Sequence, residues 1–128
     1  MDTTAGLQKI LLVEDDQFIR EMYQAYLGGK GYTVAVAADG DEALGVAKSF
    51  HPDLIFLDIM MPKKNGLEVL KILREDPSYG CTTCRIVLLT NLGDNTIGQK
   101  FERQIDGYAI KADISLSDLI DIIRSFEQ

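Results

Sequence analysis

The sequence predicts an α/β fold, with one parallel β-sheet held between two layers of helices. Three observations lead there. Five short apolar runs alternate with five helix-like segments along the chain, and strict alternation implies parallel strands joined by right-handed crossovers. The middle run, Leu54-Ile55-Phe56-Leu57, is apolar without alternation, as a strand covered on both faces is. Four of the runs also end abruptly on polar residues: Glu14-Asp15, Asp58, Thr90 and Lys111.

Residues 1–8 read as a disordered lead-in, and residues 9–128 as one domain. Lys9–Val13 is the first strand. Ile19, Met22, Tyr23, Tyr26 and Leu27 recur at helical spacing and give the first helix an apolar face. Gly28, Gly29 and Gly31 end it. Tyr32–Ala37 is β-branched and alternating, as an edge strand is. Asp39-Gly40-Asp41-Glu42 reads as a capping box for a second helix reaching about Phe50. His51-Pro52 closes that helix, because a residue before proline avoids helical dihedrals.

The central strand follows, and Pro62 takes the chain out of the sheet into a loop. Asn65-Gly66-Leu67-Glu68 caps the third helix, whose Leu67, Leu70 and Leu73 are read as facing inward. Asp76-Pro77 and Gly80 break it. Arg85–Leu89 is the fourth strand, and Asp94 is a cap for a weaker fourth helix carrying Ile97 and Phe101. Gly107–Ile110 is the fifth strand. Ser115 and Asp118 cap the last helix, with Leu116, Leu119, Ile120, Ile123 and Phe126 on one face and Ile122 off it.

Composition narrows the function. A chain of 128 residues that is 46% hydrophobic and 26% charged can bury a core without staples. A net charge of −7 argues against direct nucleic-acid binding by this domain. No membrane-length apolar stretch or signal peptide is visible, so a cytoplasmic location is expected. Cys81 and Cys84 are spaced C-T-T-C. Zinc needs about four ligands, and the single histidine, His51, is distant in sequence. We read the cysteines as unpaired loop residues leading into a strand, with a reversible disulfide as the alternative.

In a parallel sheet, all the polar strand ends lie along one edge, where open α/β sheets place their chemistry. Glu14, Asp15 and Asp58 would crowd there with Thr90 and Lys111. Crowded carboxylates call for a cation. Magnesium suits them, since it takes one or two carboxylates, waters and a phosphate. An aspartate so placed can act as a nucleophile and form an aspartyl-phosphate. Thr90 and Lys111 would then bind phosphoryl oxygens. Asp16 is read as a helix start.

With those residues in place, the chain resembles the receiver domain of bacterial two-component response regulators. The resemblance rests on Ile10-Leu11-Leu12-Val13-Glu14-Asp15-Asp16, Asp53–Pro62, Asn65-Gly66, Leu88-Leu89-Thr90 and Gly107-Tyr108-Ala109-Ile110-Lys111. It implies a flavodoxin-like three-layer sandwich with strand order 2-1-3-4-5. It implies that Asp58 takes a phosphoryl group from a sensor histidine kinase. Asp15, Asp58 and the Met60 backbone carbonyl would ligate Mg²⁺, with Glu14 acting through a water. Thr90 and Tyr108 would form the switch. The output would pass to a downstream protein or effector domain through the fourth helix, fifth strand and last helix, a surface that also allows a homodimer.

The sequence departs from the family pattern in places. Ala112 follows Lys111 where proline is usual, so a different or looser turn is expected. Asn91 replaces a small alanine after Thr90, which bears on the Thr90–Tyr108 coupling. Met60 and Leu92 stand two residues beyond Asp58 and Thr90. Both are apolar and unable to orient water, so self-dephosphorylation should not be fast. Two rival readings remain: a receiver-like interaction module that takes no phosphate, and an enzyme or flavin carrier on the same fold. A phosphatase would want a second acid at Met60, and Glu14-Asp15-Asp16 would repel a flavin phosphate.

Overall fold

The computed structural model describes residues 8–61, 65–90 and 103–127. Five strands form one sheet in the order β2-β1-β3-β4-β5: β1 (Lys9–Val13), β2 (Thr33–Ala37), β3 (Leu54–Asp58), β4 (Arg85–Thr90) and β5 (Gly107–Ile110). Every adjacent pair is parallel. Four described helices accompany them: α1 (Gln17–Gly29), α2 (Gly40–Phe50), α3 (Gly66–Glu75) and α4 (Leu116–Ser125). The helix expected at Asp94, with Ile97 and Phe101, lies outside the described residues, as do residues 1–7, Pro62, Asn91 and Leu92.

The sheet separates two cores. On one face Leu11, Val13, Ile55, Leu57, Ile86 and Leu88 meet residues of α2 and α3. On the other, Ile10, Leu12, Leu54, Phe56, Val87 and Leu89 meet residues of α1 and α4. Alternate residues of one strand serve opposite cores, so Leu54–Leu57 of β3 are all apolar, and all five residues of β3, Asp58 included, are buried. Each such Leu or Ile contributes about 1.5–3 kcal/mol on burial.

The helix ends follow their caps. Asp16 accepts from the Ile19 amide at the start of α1. Asn65 with Glu68, and Ser115 with Asp118, form complete capping boxes. The box read at Asp39 is corrected. Asp39 does accept from the Glu42 amide, but the Glu42 carboxylate takes the Ala38 amide instead. His51 ends α2 in the left-handed region at φ 53°, so the chain leaves the right-handed helical conformation before Pro52.

Two apolar assignments change and one is extended. Met22 is exposed, because it sits at the margin of the face that buries Tyr23 and Leu27. On α3 Leu67, Leu70 and Leu73 face the core as expected, Leu67 half-buried, and Val69 is buried with them. Ile122 packs against the α1–α4 core rather than standing off it. The cysteine reading is corrected too. Cys81 and Cys84 are joined by a disulfide, their Cα atoms 4.7 Å apart, within the usual span for such bonds.

Candidate phosphoryl-acceptor site

Strand register builds the site. Val13 pairs with Leu57, so the next residues, Glu14 and Asp58, come abreast at the carboxyl edge. Asp58 pairs with Leu89, one residue before Thr90. Thr90 pairs with Ile110, one residue before Lys111. Four strands therefore deliver four polar groups to one edge from positions spread over most of the chain.

Glu14 and Asp58 are buried, with 2% and 4% exposure, whereas Asp15 is exposed. One carboxylate oxygen from each of the three lies within 4.8 Å of the others. Lys111 Nζ lies between the buried pair, 2.6 Å from Glu14 Oε1 and 3.2 Å from Asp58 Oδ2. Asp58 Oδ1 accepts from the Met60 amide at 3.2 Å, and Glu14 Oε2 accepts from the Asp16 amide at 3.1 Å. An open pocket of about 260 Å³ lies over these groups.

Burial raises the Asp58 carboxyl above its ordinary pKa of 3.8, although Lys111 and the Met60 amide pull it down. Burial likewise raises Glu14 above 4.5, against the hydrogen bond from Lys111. Burial works against the Lys111 ammonium, but the hydrogen bond to Glu14 and the charge of Asp58 outweigh it and raise its pKa. The lysine thus stays charged and, among the described residues, is the cation paired with two of the three carboxylates.

Thr90 is fully buried at the end of β4. Tyr108 is half-buried and packs against the α2–α3 core, paired in register with Leu88. Alternation puts Leu88, Thr90 and Tyr108 on one side of the sheet. The Met60 side chain is exposed.

Two supports were not read from the sequence. Arg20 donates from Nη1 to the Glu14 carbonyl at 2.9 Å and to the Asp15 carbonyl at 3.4 Å. It sits one turn into α1, where a cation six residues after an acid is the only sequence signal. Gly66 lies against the backbone of Asp58 and Ile59, where a Cβ would stand 2.8 Å from Ile59 Cα. Its amide donates to the Ile59 carbonyl at 2.9 Å, and no larger residue fits. After Lys111 the chain makes a 3₁₀ turn over Lys111–Asp113, and all described peptide bonds are trans. This is the different turn expected with Ala112.

Residues 10–124 match the family model described as the response regulator receiver domain. The chain belongs to that family. This receiver domain is 37% identical over 111 residues to the DNA-binding response regulator MtrA of Mycolicibacterium smegmatis, covering 87% of this chain and 46% of MtrA. It thus spans about half the length of the MtrA relatives it matches. Among solved structures it is similar to the chemotaxis response regulator CheY4 of Vibrio cholerae, at 30% identity and a TM-score of 0.83 over 94% of this chain and 98% of that one. It is also similar to the response regulator TrrA of Thermotoga maritima in complex with Mg²⁺-BeF, at 30% identity and a TM-score of 0.80 over 94% and 99%. These likenesses agree with the strand order and do not favour the non-phosphorylated or flavin-carrier rivals. No described helix is long and apolar enough to cross a membrane.

Proposed function

We propose that Asp58 is the phosphoacceptor of this receiver domain and takes a phosphoryl group from the phosphohistidine of a sensor histidine kinase. The single observation that carries this is the carboxylate excess: Glu14, Asp15 and Asp58 share one small volume, and among the described residues Lys111 is the cation whose side chain pairs with their carboxylates. A structural ion pair would have no use for the third acid. An Asp58 carboxylate oxygen attacks phosphorus, the bond from phosphorus to the histidine nitrogen breaks, and that nitrogen leaves with the electron pair.

The donor set fits Mg²⁺, a hard cation that prefers oxygen. Asp15, Asp58 and the Met60 carbonyl would hold it, with Glu14 acting through a water. When bound, the ion supplies positive charge where the transferring group gathers negative charge. The Mg²⁺-BeF complex of TrrA supports this choice of metal. Lys111 would exchange part of its contact with Asp58 for a phosphoryl oxygen, and Thr90 would donate its hydroxyl to another. The domain is then a substrate that assists its own phosphorylation and dephosphorylation.

The new charge selects one of two conformations. Thr90 and Tyr108, on one side of the sheet, form the switch. Among the described residues the output face is β5 and α4, which would meet a downstream protein, an effector domain or a second copy. This domain would make no direct nucleic-acid or membrane contact and would act in the cytoplasm.

Acetyl phosphate with Mg²⁺, followed by intact mass, tests the proposal. Wild type is expected to gain one phosphoryl group and Asp58→Asn none. An adduct that survives Asp58→Asn would overturn the assignment. With Met60 apolar, Met60→Asn is expected to shorten the phosphoryl half-life.

A further inference from the structure

The Cys81–Cys84 disulfide closes a small ring between the Pro77–Tyr79 turn and β4. It lies at the opposite end of β4 from Thr90. Cys81 is buried and Cys84 half-buried, while Thr82 and Thr83 inside the ring are exposed. An open, largely polar pocket of about 350 Å³ borders the ring, lined also by Arg74 and Arg103.

Arg74 ties this ring to the far side of the pocket. Its Nη1 donates to the Cys84 carbonyl at 2.6 Å and the Cys81 carbonyl at 3.1 Å. Its Nε donates to the Gln104 carbonyl at 2.7 Å, and its Nη2 to Asp106 Oδ2 at 3.1 Å. One guanidinium therefore grips both cysteines and the stretch that leads into β5.

We propose that Cys81–Cys84 is a reversible thiol–disulfide site, opened by a thiol reductant, whose state Arg74 transmits to residues 104–107. Three features support it. The ring is short, so little loop-closure entropy holds it shut. Cys84 is reachable from solvent. A guanidinium bound to both cysteines' carbonyls couples the bond to residues outside the ring.

The exchange balances. A reductant thiolate attacks Sγ of Cys84, and Cys81 leaves as a thiolate that takes a proton. A second reductant thiol, losing its proton, attacks the mixed disulfide and releases the Cys84 thiolate, which takes that proton. The protein gains two electrons and two protons, and the reductant becomes a disulfide. Once open, the ring no longer fixes the two carbonyls side by side, so Arg74 loses its paired grip. Its hold on Gln104 and Asp106 changes with it. The strand affected carries Tyr108 and leads to Lys111.

Native protein equilibrated in reduced or oxidised glutathione and labelled with an alkylating reagent tests the first part. Two labels are expected in the reduced buffer and none in the oxidised one, with full reversal. Equal labelling in both buffers, or thiols released only in denaturant, would overturn it. Hydrogen exchange tests the second part. Amides 104–107 are expected to exchange roughly tenfold faster on reduction in wild type. The Cys81→Ser/Cys84→Ser variant should show no response to the buffers. Wild-type exchange that does not change would overturn the transmission, and a response persisting in the double variant would overturn its assignment to these cysteines. Arg74→Lys keeps the charge but not all four contacts. It should stay reducible yet exchange quickly in both buffers, and a wild-type response from it would exclude Arg74 as the link.

Discussion

Two ionic centres sit at opposite ends of the sheet, and they are built differently. At the carboxyl edge, Lys111 bridges Glu14 and Asp58 while Asp15 adds a third carboxylate. At the other end, Asp106 is held by Arg74 and Arg85, each at 3.1 Å, and by the Ile86 amide at 2.9 Å. Arg74 spends its remaining donors on three carbonyls. The Asp106 centre is saturated, with two cations and an amide for one acid. The Lys111 centre is short of positive charge. The bridged acids of the Lys111 centre, Glu14 and Asp58, are also the more deeply buried, with Asp106 half-buried and Arg85 exposed, so at the candidate site burial and charge imbalance coincide. A saturated centre fixes structure, and an unsaturated one can accept a further cation.

The largest expected contrast comes from removing one acid from the unsaturated centre. Asp58→Asn should abolish the phosphoryl adduct and leave the fold intact, because Lys111 keeps Glu14 and the amide oxygen can still accept. Removing the hub of the saturated centre should do the reverse. Arg74→Ala is expected to cost about 3 kcal/mol in urea unfolding, because Asp106 and three carbonyls lose a donor together. Its folded fraction should still be phosphorylated at Asp58. An Arg74→Ala protein of wild-type stability would erase the distinction between the centres.

A smaller effect should appear on adding metal. If the acid cluster takes Mg²⁺, wild type gains about 2.7 kcal/mol at a hundred times the dissociation constant. That gain should fall in Asp15→Asn, which thins the cluster without touching its buried part. Thermal melts in a Mg²⁺ series would measure both. A gain of equal size in Asp15→Asn would place the ion elsewhere.

Much of this was legible in the sequence, for definite reasons. The apolar run of β3 announces a covered central strand, and parallel register then forces Glu14, Asp58, Thr90 and Lys111 to one edge. Caps at Asp16, Asn65 and Ser115 are local, so spacing alone reveals them. What stayed hidden depends on three dimensions. Glu42 reaches the Ala38 amide rather than completing its box, a matter of rotamer and chain direction. The Cys81–Cys84 bond depends on how the loop before β4 folds. Arg74 joins partners up to 32 positions away, and no periodicity encodes that. Arg20 gave only a weak signal, a cation one turn into a helix.

The smallest expected effect concerns pH, and it separates the centres without removing any contact. In metal-free protein, burial holds Asp58 above its ordinary 3.8. The folded state then binds a proton more tightly than the unfolded chain does between 3.8 and that raised value. Stability therefore declines as pH rises through this window, and the ionised Asp58 is a cost at neutral pH. Asp58→Asn should remove that cost and be more stable than wild type by about 1 kcal/mol at pH 7. The advantage should shrink as pH falls through the window and vanish below 3.8, where both chains are neutral at this position. Lys111 acts in the opposite range: its raised pKa gives stability that is complete below 10.5 and lost only above it, so it does not confuse the acid limb. Urea unfolding of both proteins in chelator, from neutral to acid pH, would measure the difference. An advantage for Asp58→Asn that stayed constant with pH would mean that packing, not the buried charge, sets it, and the acid cluster would then be no more strained than Asp106.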